Sequence, residues 1–269
     1  MGVINCTPDS FYAGSRSETT NAALETARTM IDEGADILDI GGESSRPGSE
    51  YVEADEEIDR VIPVIEGIRK FTSVPISVDT RKARVAERAL GAGADLINDI
   101  SALRDDPELA SVAVRHRCPV VLMHMQGTPS TMQENPDYED PVTEILAELS
   151  TATENALEAG IPADRIIIDP GIGFGKRLED NLRILAEIAR FVETGYPVLI
   201  GLSRKSSIGT ITGRDVHDRL AGTLSANLMA ALGGAAILRV HDVPETMDLL
   251  KVAAAILNPP SCAACGTSG

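Results

Sequence analysis

The chain has 269 residues, 43% hydrophobic and 24% charged, an ordinary composition for a globular protein able to bury a sizeable core. Its formal charge of −17 argues against nucleic acid as a partner, because that binding rests on basic surface. Anionic small molecules stay open wherever cations gather locally. No apolar stretch is long enough to cross a bilayer and no basic-then-apolar leader opens the chain, so neither a membrane partner nor secretion is expected.

Taken in order, eight short apolar runs read as strands, at residues 3–4, 37–40, 76–78, 96–97, 120–123, 166–168, 198–200 and 237–240. Amphipathic segments at helical spacing separate them, at residues 22–33, 56–70, 84–90, 142–159, 182–192, 220–231 and 245–257. Gly34, Gly93, Gly160, Gly195 and Gly233 each close a helical segment shortly before the next strand, where a left-handed residue ends a helix. The acidic run 50–59 reads as a solvated helix start, its charge matched to the positive end of the helix dipole. Strand-helix alternation without a break in composition predicts one α/β domain over residues 1–258. A closed (β/α)8 TIM barrel is the natural solution, with an open doubly wound sheet as the alternative. Residues 259–269 read as a flexible C-terminal tail. Its Cys262 and Cys265 have metal-like spacing but no second pair, and read as incidental. Cys6 and Cys118 lie beside strands and are expected to be reduced, which indicates a cytoplasmic protein. The first strand begins almost at residue 1, so the barrel floor is expected to be unplugged, or covered by a segment upstream of the given start.

A parallel barrel carries its site at the C-terminal ends of its strands, so the residues there are the candidates. The sharpest stretch is IIIDPGIGFGK at 166–176. A strand buried on both faces delivers Asp169 at its exit, then turns through Pro170 and three glycines that let backbone approach a flat ligand. The other tips are Asn5 leading to Phe11, the run from Gly41 to Gly48 with Arg46 and Pro47, Asp79, Asn98, His124, Lys205 with Ser206, and Arg239 with His241. They divide by chemistry. Asp79, Asn98, Asp169 and Lys205 combine acceptors, an amide and a cationic donor, which suits a neutral heteroaromatic ring with an amino-imine edge and a carbonyl. Asn5, Arg239 and His241 come from adjacent strands, since strand eight closes on strand one. They make an anion corner, helped by the helix start at Pro244 and by Mg²⁺ on Asn5. Each residue also has a plainer reading: His241 as a structural histidine, Arg239 paired with a nearby acid, Asp79 and Asp169 as helix caps. Capping explains the set poorly, because several tips precede the helix by too many residues.

Seven segments, in order and at the expected spacing, carry a resemblance over nearly the whole chain: NCTPDSF at 5–11, GGESSRPG at 41–48, SVDT at 77–80, NDI at 98–100, DPGIGFGK at 169–176, SRKS at 203–206 and RVHDV at 239–243. With them the chain resembles the dihydropteroate synthases. The resemblance implies a homodimeric (β/α)8 barrel of folate biosynthesis that joins 6-hydroxymethyl-7,8-dihydropterin diphosphate to p-aminobenzoate, releasing pyrophosphate and 7,8-dihydropteroate. It implies pterin binding by Asp79, Asn98, Asp169 and Lys205, and diphosphate binding by Asn5, Arg239 and His241 with Mg²⁺ on Asn5. It implies p-aminobenzoate contacts from Phe11, Arg46, Pro47, Lys205 and Ser206. Asp79, Asp169, Lys205, Arg239 and His241 would carry the chemistry. An aniline nitrogen is a weak nucleophile, so departure of pyrophosphate ahead of attack, an SN1-like course, is the expected mechanism. Two departures stand out: Ala13 where the family commonly has Asp, and Ser207 where it commonly has a large aromatic residue. A corrinoid-dependent methyltetrahydrofolate methyltransferase and a catalytically weak pterin binder share the pterin acids and remain as alternatives; Ala13 is the sign that would favour the second.

Overall fold

The computed structural model describes residues 1–7 and 16–259. Eight parallel strands among them form the barrel: β1 Gly2–Asn5, β2 Leu38–Gly41, β3 Ile76–Asp79, β4 Leu96–Asp99, β5 Val120–Met123, β6 Ile166–Asp169, β7 Leu199–Ile200 and β8 Ile237–Leu238. β1 to β6 form one ladder in chain order, and β7 pairs with β8. Parallel bridges Ile168↔Val198 and Gly2↔Val240 join the two sheets at both seams and close the ring. The helices are α1 Arg16–Asp32, α2 Ala54–Arg69, α3 Ala83–Gly91, α4 Glu108–His116, α5 Pro141–Glu158, α6 Leu178–Ala186, α7 Ile188–Val192, α8 Ser206–Thr212, α9 Leu220–Leu232 and α10 Val243–Leu257. No helix among the described residues is long and apolar enough to cross a membrane.

Alternation along each short strand divides the core in two. Ile40, Val78, Ile97, Leu122 and Ile168 pack outward in the main apolar layer under the helices. Leu96, Val121 and Leu199 fill the barrel interior with Ile37, Ile167 and Ile237. The interior is therefore apolar low in the barrel and polar at the strand tips. Register aligns those tips: Asn5 pairs with Gly41, Gly41 with Asp79, and Asp79 with Asn98, while Met123 pairs with Asp169. At the opposite end of the barrel a second cavity is lined by Met1, Ile37, Ile237, Met247 and Leu250 among others.

Local signals misled in four places. α4 was not among the expected helices; it has only nine residues, although its buried Leu109, Ala110, Val112 and Ala113 do fall at helical spacing. The expected helix over 182–192 is two helices, parted at Glu187, whose φ of −109° and ψ of 23° leave the helical region. α8 follows β7 directly and is an unexpected addition. Gly34, Gly93, Gly160 and Gly195 have the positive φ expected of them, but beyond α9 it is Gly234, not Gly233, that turns left-handed.

Candidate active site

The strand tips surround an open cavity of about 510 Å³, solvent at its mouth included. Asp79, Asn98, Asp169, Lys205, Arg239 and His241 all line it, so six of the residues expected from the sequence come together. Ile100, Met123, Ile172 and Phe174 give it an apolar wall that no polar-tip argument could find.

Asp169 owes its place to the backbone after β6. Gly171 has φ +68°, and a Cβ there would collide with the carbonyl oxygen of His124. The turn therefore lies flat against the tip of β5, and the Gly171 amide donates to Asp169 Oδ1 at 2.7 Å. Lys176 fastens the same turn from below. Its buried ammonium donates to the Phe174 carbonyl at 3.0 Å and lies 2.9 Å from His124 Nδ1. Phe174 is thereby held as a wall, and the Lys205 ammonium sits 4.0 Å from the centre of its ring.

Charge in the cavity is arranged against desolvation. Burial pushes Asp169 up to about 6, opposed by the Gly171 amide and then by Lys205 and Lys176. Burial likewise pushes Asp79 up to about 7, opposed by Arg239 and reinforced by Asp39, Glu57 and Asp99. Lys205 is lowered to about 8 by burial, with Asp169 pulling the other way. At neutral pH the site thus holds carboxyl groups near their titration points facing a cation near its own.

Arg239 is engaged more tightly than an open anion corner suggests. Its Nε donates to Asp39 Oδ2 at 2.6 Å, and one terminal nitrogen donates to Asp79 Oδ2 at 2.6 Å. The pairing with a nearby acid is real, and it coexists with exposure to the cavity. These carboxylates also raise the Arg239 pKa against the opposing effect of burial, so the side chain is a fixed cation. His241 lies beside it, its Nδ1 3.0 Å from Ser203 Oγ. The His241 amide donates to that same oxygen, an arrangement in which the hydroxyl can donate to Nδ1 and leave the imidazole N–H on Nε2. The residue is exposed at the rim, yet its ring is crowded by the strand tips; that surrounding, then Arg239, hold its pKa down and keep it neutral at pH 7.

Other expected residues stand around the rim. Asn5 ends β1 in the row of Gly41 and Asp79 but does not line the cavity. Arg46 and Pro47 are exposed on the loop after β2, and the Arg46 charge is close enough to depress His241 further. Ser206 is exposed at the start of α8, next to Lys205. Phe11, Ala13 and the pair Cys262 and Cys265 lie outside the described residues. Ser207 is half-buried in the first turn of α8. Asp99 turns away from the cavity and ties its own loop, accepting from the amides of Ser101 and Leu103. The residue that sequence reasoning missed is Asp39. The one signal for it was a carboxylate inside an apolar strand, where burial demands a partner.

Among the described residues no group of three or more His, Cys, Asp or Glu side chains is placed to hold a metal ion. A hard cation that keeps most of its waters needs only one or two protein oxygens when a substrate phosphate supplies the rest. The Asn5 carboxamide at the tip of β1 fits that donor set.

The family model described as pterin binding enzyme matches residues 1–241. A dihydropteroate synthase of Haemophilus influenzae is 46% identical over 258 residues, covering 96% of this chain and 94% of that protein. The solved structure of Xanthomonas albilineans dihydropteroate synthase with 4-aminobenzoic acid superposes with a TM-score of 0.91 at 48% identity, covering 97% of this chain and 93% of that one. The Yersinia pestis dihydropteroate synthase in complex with a sulfonamide drug gives a TM-score of 0.91 at 41% identity, covering 96% and 93%.

Proposed function

This chain belongs to the dihydropteroate synthase family of pterin-binding enzymes, and from that premise we propose that its cavity condenses 6-hydroxymethyl-7,8-dihydropterin diphosphate with p-aminobenzoate to 7,8-dihydropteroate and pyrophosphate. The observation that carries the reading is a cavity with Asp79, Asn98 and Asp169 as acceptors, Lys205 as donor, and Phe174 as an apolar wall. A flat ring with N–H groups on one edge and a carbonyl on the other meets a partner for each. A corrinoid-dependent methyl transfer has no use for the Arg239 and His241 end of the cavity.

The chemistry follows from charge. The p-aminobenzoate nitrogen attacks poorly, so the barrier falls most if the carbon–oxygen bond to diphosphate weakens first. Arg239 supplies a fixed positive charge, and neutral His241 offers an N–H from Nε2 to a departing oxygen. Asp169, largely ionised at neutral pH, and Asp79, near its titration point there, stabilise positive charge that spreads into the ring as the leaving group departs. Lys205 holds the ring edge and, with Ser206, Arg46 and Pro47, contacts p-aminobenzoate; the same role is assigned to Phe11, which lies outside the described residues. Excluding water from around the cationic carbon protects it until the amine captures it. Asn5 would hold Mg²⁺ together with the diphosphate, and the ion when bound supplies further neutralisation of phosphate charge.

The domain is taken to be residues 1–258, and a homodimer is proposed on the apolar face shared by α9 and α10. Met229 and Leu232 on α9 and Val252, Ile256 and Leu257 on α10 are all exposed there. A cytoplasmic setting is proposed as well, which suits the buried free thiols of Cys6 and Cys118. The deciding experiment supplies both substrates with Mg²⁺ and follows pyrophosphate. Release that requires both substrates is expected. Pterin binding without release would return the catalytically weak binder to first place.

A further inference from the structure

Asp39 is wholly buried on β2, in the middle of an apolar run, one layer below the cavity floor. Register sets it between Val3 and Ser77. Its Oδ2 accepts from Arg239 Nε at 2.6 Å and from the Asn98 carboxamide nitrogen at 3.2 Å. Its Oδ1 is buried without a partner among the described residues, as is the hydroxyl of neighbouring Ser77. A buried carboxylate with one oxygen unpaired is a poor device for stability, since replacing such an ion pair by apolar groups of like volume is often neutral or favourable. What Asp39 touches is more informative: both of its partners line the cavity.

We propose that Asp39 is a positioning residue for the reaction, which aims the Arg239 guanidinium and the Asn98 carboxamide at the ring site and limits the grip of Arg239 on Asp79. A carboxylate only accepts, so Asn98 must turn its NH₂ toward Asp39 and its oxygen toward the cavity. Asn98 is thereby a third acceptor beside Asp79 and Asp169. Arg239 is likewise divided. Its Nε and one terminal nitrogen both lie 2.6 Å from Asp39 Oδ2, and that same shared nitrogen alone reaches Asp79 Oδ2, so a two-pronged pair with Asp79 does not form. Asp79 is faced by Arg239 from β8, Asp39 from β2, Glu57 from α2, Asp99 from β4, and Lys205 beyond β7. Among these, Asp39 shares the same guanidinium, so removing its charge releases Arg239 onto Asp79 and makes Asp79 more acidic.

This inference rests on the synthase reading for its kinetic half only. Asp39→Asn keeps the shape and one acceptor oxygen for Arg239 and Asn98 but removes the charge that holds Arg239 off Asp79. The kcat/KM for pterin diphosphate should fall by about tenfold or more, while the KM for p-aminobenzoate stays within about twofold. The acid limb of the kcat/KM profile should move down by at least about half a pH unit, a change that loosened packing alone would not give. In ligand-free protein the Asp79 carboxyl, followed by carbon NMR, should show the same downward move. Asp39→Ser removes the charge with less bulk and serves if the Asn variant does not fold. Pterin diphosphate kinetics within about twofold of wild type, or an Asp79 midpoint unmoved or raised, overturns the proposal. If wild-type protein releases no pyrophosphate, the synthase reading fails, while the ligand-free Asp79 titration still decides this one.

Discussion

Replacing Asp169 with Asn is expected to make the protein more stable and the enzyme far slower. The carboxyl is held at about 6 against 3.8 for a free Asp side chain, chiefly by burial. Each tenfold in proton affinity corresponds to about 1.4 kcal/mol, so the ionised group costs the fold up to roughly 3 kcal/mol. The sign follows from linkage. The folded state binds more protons than the unfolded state between those two values, so the contribution of this group falls as pH rises through that window and is fully lost above it. The Asn variant therefore gains most above pH 6 and loses its advantage below about pH 4. Its oxygen can still accept from Gly171, whose amide is 2.7 Å from Asp169 Oδ1, so the turn after β6 keeps its tie. In a chain of this size the gain corresponds to a rise in Tm of roughly 6–12 °C at pH 8, measurable by scanning calorimetry. Turnover, followed as pyrophosphate release, should fall by about 10²- to 10³-fold, because a neutral amide cannot answer positive charge on the ring. A variant less stable than wild type at pH 8, or one whose advantage is the same at pH 4 and pH 8, would refute the reasoning. It would mean that the hydrogen bonds of Asp169, not its desolvation, dominate.

Lys205→Ala should raise KM for both substrates by about tenfold, since the ammonium sits 4.0 Å from the centre of the Phe174 ring in the field of Asp169; unchanged steady-state kinetics would remove it from the site. His241→Ala should abolish most affinity for pterin diphosphate in calorimetric titration while leaving the pterin alcohol unaffected, and equal losses for both would place His241 at the ring instead. Gly171→Ala should lower stability by about 2 kcal/mol or more, because its backbone is left-handed and the new methyl meets the His124 carbonyl; a Tm within about 1 °C of wild type would show that the turn can yield. Ala13→Asp should leave turnover equal or higher if that position is an unfilled catalytic slot, whereas a large loss would mean that the first loop is built around Ala.

The chain's local pattern was enough to indicate a parallel (β/α)8 barrel. Apolar runs of a few residues, each followed by a polar tip and an amphipathic segment, leave few other ways to bury so many strands on both faces. It also named Asp79, Asn98, Asp169, Lys205, Arg239 and His241, because in such a barrel the strand exits surround one shared mouth, although Asn5 and Asp99 at two of those exits do not line the cavity. Partnership was out of reach. Arg239 and Asp39 stand 200 residues apart, and they meet only because β8 closes on β1 while β1 pairs with β2 in a fixed register. Asp39 sits two residues inside its strand, not at the tip, so a search along the exits passes over it. The apolar wall of Ile100, Met123, Ile172 and Phe174 was invisible for the opposite reason, since such residues look like any other core. Periodicity encodes which side of an element is buried. Which buried groups share a proton or a guanidinium is set by closure and register across the whole ring, and only the folded barrel decides that.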